Sequence, residues 1–458
     1  MPNTIEITSS LIKMSGIFSY DPKKDKNKFL QAGFKHMDVV VLPKGMPAVE
    51  KVDKIKASKT YQKNTFYKEY RAIMLADKEG LENDRSEKRG VISYLREQNF
   101  KLAFREKETE FRFESQMQEI YLFPDGTGIF SIQISPEHQN INAISELIFK
   151  ARDFSSELYF ETTLFEFHAW ISKYVLGGIV ITGPKIITDE YSGSKFKVYT
   201  VIDLKLEIPD EELNHLLYEI GTSSKPGTIA EGGYSAPSKE YYSEIEDQSM
   251  FSAFKNYKML ALLDSFTVIG WNNYNSLENN FLKFNTWNKS YFNLYALNLY
   301  IRFSLYRFNS CFVDDPIKFR DEFEDFMNHF NLKHISFNFL PNLIFNKMRI
   351  AMAVDEEVVY FRTRLDSLAN KIQEGQEKKQ AILLTIISAL SGLGAAKDIL
   401  EILNRTQTHL QWSDTRFYLS ISSILLIFIG ILVYFLFPLT IKKIGRKFRK
   451  SIAKILPV

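Results

Sequence analysis

Twenty-three consecutive uncharged residues, Phe417–Leu439 (FYLSISSILLIFIGILVYFLFPL), constrain this chain more than any other feature. At 1.5 Å per residue a helix over them spans ~34 Å, against ~30 Å for the hydrocarbon core of a bilayer. No polar stripe marks one side as solvent-facing, so the expectation is a transmembrane helix. The amino terminus, MPNTIEITSS, is polar and carries no apolar signal region. After the apolar run come Lys442, Lys443, Arg446, Lys447, Arg449, Lys450 and Lys454 with no acid among them. A tail this basic is expected to stay in the cytoplasm.

One span would leave the preceding 416 residues outside the cell with no signal to export them. A second span resolves the conflict, and Gln380–Ala396 (QAILLTIISALSGLGAA) offers 17 uncharged residues for it. Its small side chains suit close helix packing in a membrane. Arg362, Arg364, Lys371, Lys378 and Lys379 precede it, while the loop from Lys397 to Arg416 is charge-balanced. The expectation is a hairpin with both termini cytoplasmic, in a multi-pass protein of a bacterial inner membrane.

Before the first span two heptad series interleave: Val354, Phe361, Leu368, Gly375 and Ile382, then Val358, Leu365, Ile372, Lys379 and Ile386. Such a seam marks a helix packed lengthwise against others, either within its own subunit or in a bundle of identical subunits. The bundle is the expectation, because Thr385, Ser388, Ser391, Gly392 and Ala395 would otherwise turn small and polar groups to lipid. In a ring of four or five subunits those residues would line a narrow pore, with Asp398 and Glu401 at its outer mouth. Rings of acids favour cations.

The rest reads as follows: residues 1–220 an α+β cytoplasmic domain, 221–240 a Gly/Ser/Pro-rich mobile loop or linker, and 241–345 a helical, aromatic-rich region. Then come a long stalk helix (346–379), the first span (380–396), an external loop (397–416), the second span (417–439) and the basic tail (440–458). The expected strands include Asp38–Leu42, Gly178–Thr182, Lys195–Ile208 and a hairpin of Glu119–Phe123 with Gly128–Ile134 around Asp125-Gly126. Helical spacing covers Asn140–Arg152 and Glu161–Val175. Tyr291–Phe308 is expected as a buried helix. Pro316 opens another, with Phe319, Phe323, Phe326 and Phe330 on one face.

Net charge is +3 and the seven basic tail residues exceed it, so the body is net acidic and no duplex nucleic acid is expected as a partner. The lone Cys311 excludes a disulfide framework and a cysteine-based metal site. His168, His215, His329 and His334 are scattered and no catalytic motif appears, so neither an enzyme nor a cofactor is expected.

The order of parts, a cytoplasmic body, a long helix into a first span, a short loop, a second span and a basic tail, resembles the CorA-like metal-ion transporters. The resemblance is densest from Val354 to Lys450 and implies an oligomeric pore lined by the first span. The family's Gly-Met-Asn signature is absent: its place is taken by SGLGAAKDILEIL. CorA-like proteins without the signature include membrane effectors of bacterial antiviral defence, gated by nucleotide signals from a partner enzyme. The resemblance thus implies a homo-oligomeric channel in the lipid bilayer, gated through its cytoplasmic domain by a small nucleotide or oligonucleotide. A divalent metal transporter and a membrane-anchored binding or signalling module are the alternatives.

Overall fold

The computed structural model describes residues 5–37, 48–75, 90–105, 110–179, 195–232, 236–271, 286–311, 316–410 and Ser422. The chain divides into two units, Met1–Arg362 and Thr363–Val458.

The first unit is built on a 12-stranded sheet. In chain order it runs β1 (Ile7–Ser19), α1 (Lys26–Gln31), β2 (Lys35–His36), α2 (Ala48–Thr65), α3 (Lys68–Met74), β3 (Ile92–Arg96), β4 (Phe100–Arg105), β5 (Glu110–Leu122) and β6 (Thr127–Pro136). It continues through α4 (Ile141–Ala151), β7 (Glu157–Phe160), β8 (Thr163–Glu166) and α5 (Phe167–Trp170), which runs on as a π-helical turn, Ile171–Val175. Next are β9 (Lys197–Leu204), α6 (Asp210–Thr222), α7 (Thr228–Glu231), α8 (Lys239–Ser249), β10 (Met250–Phe254), β11 (Tyr257–Ala261) and β12 (Ser265–Trp271). A second π-helical turn, Thr286–Tyr291, leads into α9 (Phe292–Cys311), followed by α10 (Pro316–Phe330), α11 (Phe339–Ala351) and α12 (Val354–Leu410).

The strands lie in the order β10-β11-β12-β9-β1-β6-β5-β4-β7-β8, with β3 also paired to β5 and β2 to β3. Every pairing among the described strands is antiparallel except β9 with β12. Strand β1 is central, and side-chain alternation gives it two buried faces. Ile12, Met14 and Phe18 join Phe130, Ile132, Val198 and Ile202 in a core completed by Ile144 and Leu147 of α4 and Leu213 and Leu217 of α6. The opposite face carries Lys13, Tyr121 and Tyr199. Here Phe292 packs at 6.0 Å from Tyr121 and 5.3 Å from Tyr199. Beyond it α9 and α10 interlock through aromatic edges, Phe308 on Phe323 and Tyr300 on Phe330.

Several local readings hold. Strands β5 and β6 form the expected hairpin, with Gly126 at φ +85° and the Asp125 carboxylate accepting the Thr127 N–H at 3.0 Å. The helical spacing of Asn140–Arg152 becomes α4, and the structure adds that Asn140 caps it, its side chain accepting the Ala143 N–H. In α10, Phe323, Phe326 and Phe330 are buried, while the Phe319 side chain lies outside the described set.

Others need correction. Glu161–Val175 is not one helix: Thr163–Glu166 pairs with β7, Glu161 takes a left-handed φ of 55° at the turn, and helix starts only at Phe167. The region expected to be helical after residue 240 opens with α8, as expected, but then carries three strands, β10, β11 and β12, so the sheet continues beyond residues 221–240 within one unit. The stalk does not start at 346. Helix α11 stops at Ala351, Ala353 sits at φ +49°, and α12 begins at Val354. Arg302 of α9 holds this break by donating to the Met352 and Ala353 carbonyls at 2.5 and 3.3 Å and pairing with Glu357. Asp38–Leu42 and most of Gly178–Thr182 lie outside the described residues.

The expected fold class, with its C-terminal transmembrane hairpin, is overturned as well. Among the described residues no helix is long and apolar enough to cross a membrane. Gln380–Ala396 is the middle of the 57-residue α12, which continues as helix to Leu410 through most of the stretch expected to loop outside. The physical reason is composition. Seventeen residues are the short limit of a span, and Gln380, Thr385, Ser388 and Ser391 dilute their apolar character. Lys378, Lys379, Lys397 and Asp398 stand within a turn of either end. Phe417–Leu439 lies outside the described residues apart from Ser422. The expectation of a multi-pass inner-membrane channel thereby loses the span on which its pore depended.

Candidate functional site

The residues singled out from sequence gather along one helix rather than around a cavity. Thr385 donates its hydroxyl back to the Ala381 carbonyl at 2.7 Å, Ser388 and Ser391 are exposed, and Gly392 is half-buried. The Ala395 and Ile372 side chains lie outside the described set. Asp398 and Glu401 are exposed. Of the seam residues, Val354, Val358, Phe361 and Leu365 are buried within this single chain and Leu368 is half-buried. Phe361 lies 4.4 Å from Phe323 and 5.7 Å from Phe308, so the first turns of α12 pack on their own subunit. No group of metal-ligating side chains occurs among the described residues.

The structure gathers chemistry elsewhere, at the end of the sheet formed by β9, β12 and β11. Their registers align Asp203, Gly270 and Tyr257 in one cross-strand row. Adjacent strands are ~4.8 Å apart, so Asp203 and Tyr257 stand about two strand spacings apart across a residue with no side chain. That row forms the floor of a cavity of about 360 Å³. Val201 and Val268, the next row on the same face, continue the floor, and Phe254 and Asn256 close one side from the β10–β11 turn. Gly270 is required here. A Cβ on it would lie 2.8 Å from the Tyr257 Cβ and 3.0 Å from the Asn256 carbonyl oxygen.

The roof is the second π-helical turn with Leu340 of α11. Thr286, Trp287 and Tyr291 line the cavity. Trp287 stands nearly perpendicular to both neighbours, 5.9 Å and 86° from Tyr257 and 4.7 Å and 79° from Tyr291. Burial pushes the Tyr257 phenol upward; burial and Tyr61 do the same to Tyr291, so both stay neutral. Asp203, only 3% exposed, is the single charged side chain among the described lining residues.

What holds the roof down is a buried charge cluster. Tyr199 donates to the Trp287 carbonyl at 2.8 Å and Lys13 to the Asn288 carbonyl at 2.7 Å. Lys289 forms an ion pair with Glu119 at 3.1 Å, and Lys13 donates to the other Glu119 oxygen at 2.7 Å. Lys13, Glu119 and Lys289 are at most 2% exposed. The Lys13 ammonium also lies 4.0 Å from the Phe292 ring centre. Burial lowers the Lys13 pKa from 10.5 to about 8, against the opposing pull of Glu119. Burial alone would raise Glu119, but Lys13 and then Lys289 carry it below the usual carboxylate range. Three successive residues of the π turn are thus tied to β1, β5 and β9. A π turn interrupts the regular helical ladder, and here the sheet supplies partners for its carbonyls.

The opposite end of the β11–β12 hairpin is fastened by Asp264, which pairs with Lys197 and, at 3.0 Å, with Arg152. Burial opposes ionisation of Asp264, and the two cations more than offset it.

Sequence reasoning passed over all of these residues, although a signal was present. Lys13 in SSLIKMSGIF, Glu119 in MQEIYLF, Asp203 in TVIDL and Lys289 in WNKSYF are single charges inside apolar strands or turns. Such positions require a buried partner or a function. Gly270 in SFTVIGW is an isolated strand glycine, the mark of a close approach by backbone or ligand. No family model, curated protein or solved structure matches the chain.

Proposed function

We propose that this chain is a ligand-binding protein that takes a small organic molecule into the cavity between Asp203, Tyr257 and Trp287. The observation that carries the reading is the cavity floored by the Asp203–Gly270–Tyr257 row and lined from the other side by Trp287 and Tyr291 of the anchored turn. Ligand sites combine mostly apolar, preformed walls with a few placed polar groups, and the described lining has that make-up. Among the described lining residues no histidine and no second acid joins Asp203 as a pair for general acid–base chemistry, which favours binding over turnover. Leu340 links the cavity to α11, and the Arg302-held break then passes the chain into α12. Occupancy is therefore sensed, in this reading, by the α11–α12 junction.

The test is a small-molecule screen on the full chain read by intrinsic tryptophan fluorescence, with Trp287→Phe removing the reporting ring. Leu340→Trp, which plugs the cavity from the helix side, should abolish every hit while circular dichroism stays unchanged. Hits that survive the plug would place binding elsewhere and end this reading.

A further inference from the structure

We infer that the ligand is an amphiphile, with a hydrogen-bonding head inside the cavity and an apolar tail laid over Phe254 and Phe339 at its mouth. The inference rests on the binding reading above and adds the chemical class.

Two independent features lead to it. The first is a pair of rings left in water beside the cavity. Phe254 is a lining residue and is still 48% exposed; Phe339, 61% exposed, has its ring centre 5.9 Å from that of Phe254. Phe339 also directly precedes the lining residue Leu340, so the two rings carry the cavity wall outward. Single exposed hydrophobic residues are ordinary on a protein surface. Phe149 is one, exposed and without a ring neighbour among the described residues. A contiguous pair sharing an edge with a cavity differs, because whatever fills the cavity covers both rings simply by extending. A phenylalanine side chain covers ~200 Å² when buried, so these exposures leave on the order of 200 Å² of ring in water, the apolar area of about six methylenes.

The second feature is polar. Asn256 and Tyr257 line the cavity, and neither the Asn256 amide nor the Tyr257 hydroxyl has a hydrogen-bond partner among the described residues. Burial keeps the phenol protonated. An amide and a neutral hydroxyl can each donate and accept, which suits a head bearing an amide, urea or hydroxyl group. Both residues follow Phe254 directly in the turn from β10 to β11, so the polar group that fixes the head and the ring that receives the tail stand together. The volume of about 360 Å³ lies near the lower end of the range for small-molecule pockets, which fits a compact head with the rest of the ligand outside.

The experiment titrates the full chain with N-alkylbenzamides carrying methyl, butyl, hexyl and octyl tails, followed by calorimetry and by Trp287-dependent fluorescence. Affinity should rise about two- to fourfold per added methylene as far as hexyl and then level off. Phe339→Ser, at an exposed site outside the lining, should leave N-methylbenzamide binding unchanged and weaken the hexyl member by about fivefold or more. Circular dichroism and a melting curve of that variant separate a lost contact from a lost fold. Leu340→Trp should abolish binding of every member, which distinguishes the cavity from adsorption of long tails elsewhere. If all members bind equally with a plug-sensitive signal, or if the hexyl gain survives Phe339→Ser, the cavity is a ligand site but the amphiphile class is wrong. If no member gives a plug-sensitive signal, both the class and the underlying reading fail.

Discussion

Replacing Glu119 by leucine is the sharpest test of how the cavity roof is held. The carboxylate faces two ammonium groups at 2.7 and 3.1 Å. With an effective dielectric of ~20, those contacts amount to about 6 and about 5 kcal/mol of gross attraction. Most of this is offset by the several kcal/mol per ion needed to strip each group of water. Removing one member leaves two buried cations with no counter-charge, and the expected loss is ~3–5 kcal/mol. Urea denaturation of the Glu119→Leu protein should show the midpoint falling accordingly. Replacing the cluster as a whole, Lys13→Met with Glu119→Leu and Lys289→Met, should recover most of that loss, since apolar substitutes for a buried ionic group are often neutral or better. A single variant that costs less than ~1 kcal/mol, or a triple variant no more stable than the single, would refute the idea that Glu119 neutralises this cluster.

Four further expectations follow from the geometry. Lys13 has a folded pKa near 8 and an unfolded value of 10.5; between these the unfolded chain binds more protons, so wild-type stability should gain on that of Lys13→Met as pH rises through this window. The full gain is on the order of 3 kcal/mol, read from denaturation midpoints at pH 7.5 to about 10.5; a constant difference would count against the lowered pKa. Glu119, held below the unfolded value of 4.5, contributes stability that persists above that value and fades as pH falls through its lowered folded pKa, so acid unfolding of Glu119→Leu should lack this component. Gly270→Ala should cost ~1–3 kcal/mol in a melting experiment and reduce ligand affinity, because the new methyl displaces Tyr257 or the Asn256 carbonyl; a neutral result would mean the β11–β12 contact is looser than drawn. Ala353→Gly should stabilise the chain by about 1 kcal/mol by relieving the left-handed φ of 49°, and a loss of stability would show that the Ala353 methyl makes a compensating contact.

Features encoded by neighbouring residues were legible without coordinates. The Asp125-Gly126 turn, the helix within Asn140–Arg152, the buried α9 and the phenylalanine stripe of α10 each depend on spacings of a few residues, and local sterics and periodicity decide them. The hydrophobic seam at Val354, Val358, Phe361 and Leu365 could be read as well, but not which surface it meets, since periodicity marks an apolar face and is silent about the partner. The structure gives Phe361 its contacts with Phe308 and Phe323 of the same chain.

Long-range pairing settled the rest. Thr163–Glu166 has spacing compatible with a helix and becomes a strand because β7 lies beside it. Gln380–Ala396 was apolar enough to suggest a span, yet its charged flanks and the continuation of the helix to Leu410 remove it from that class. The cavity itself needs Asp203, Tyr257, Gly270 and Trp287, which are far apart in sequence and meet only through the parallel β9–β12 pairing and the anchored turn. Sequence alone therefore determined the tight turn, the short helices and their apolar faces, whose energetics are local. Tertiary structure alone decided which charges face one another and where a gap is left, because both depend on the register between distant strands.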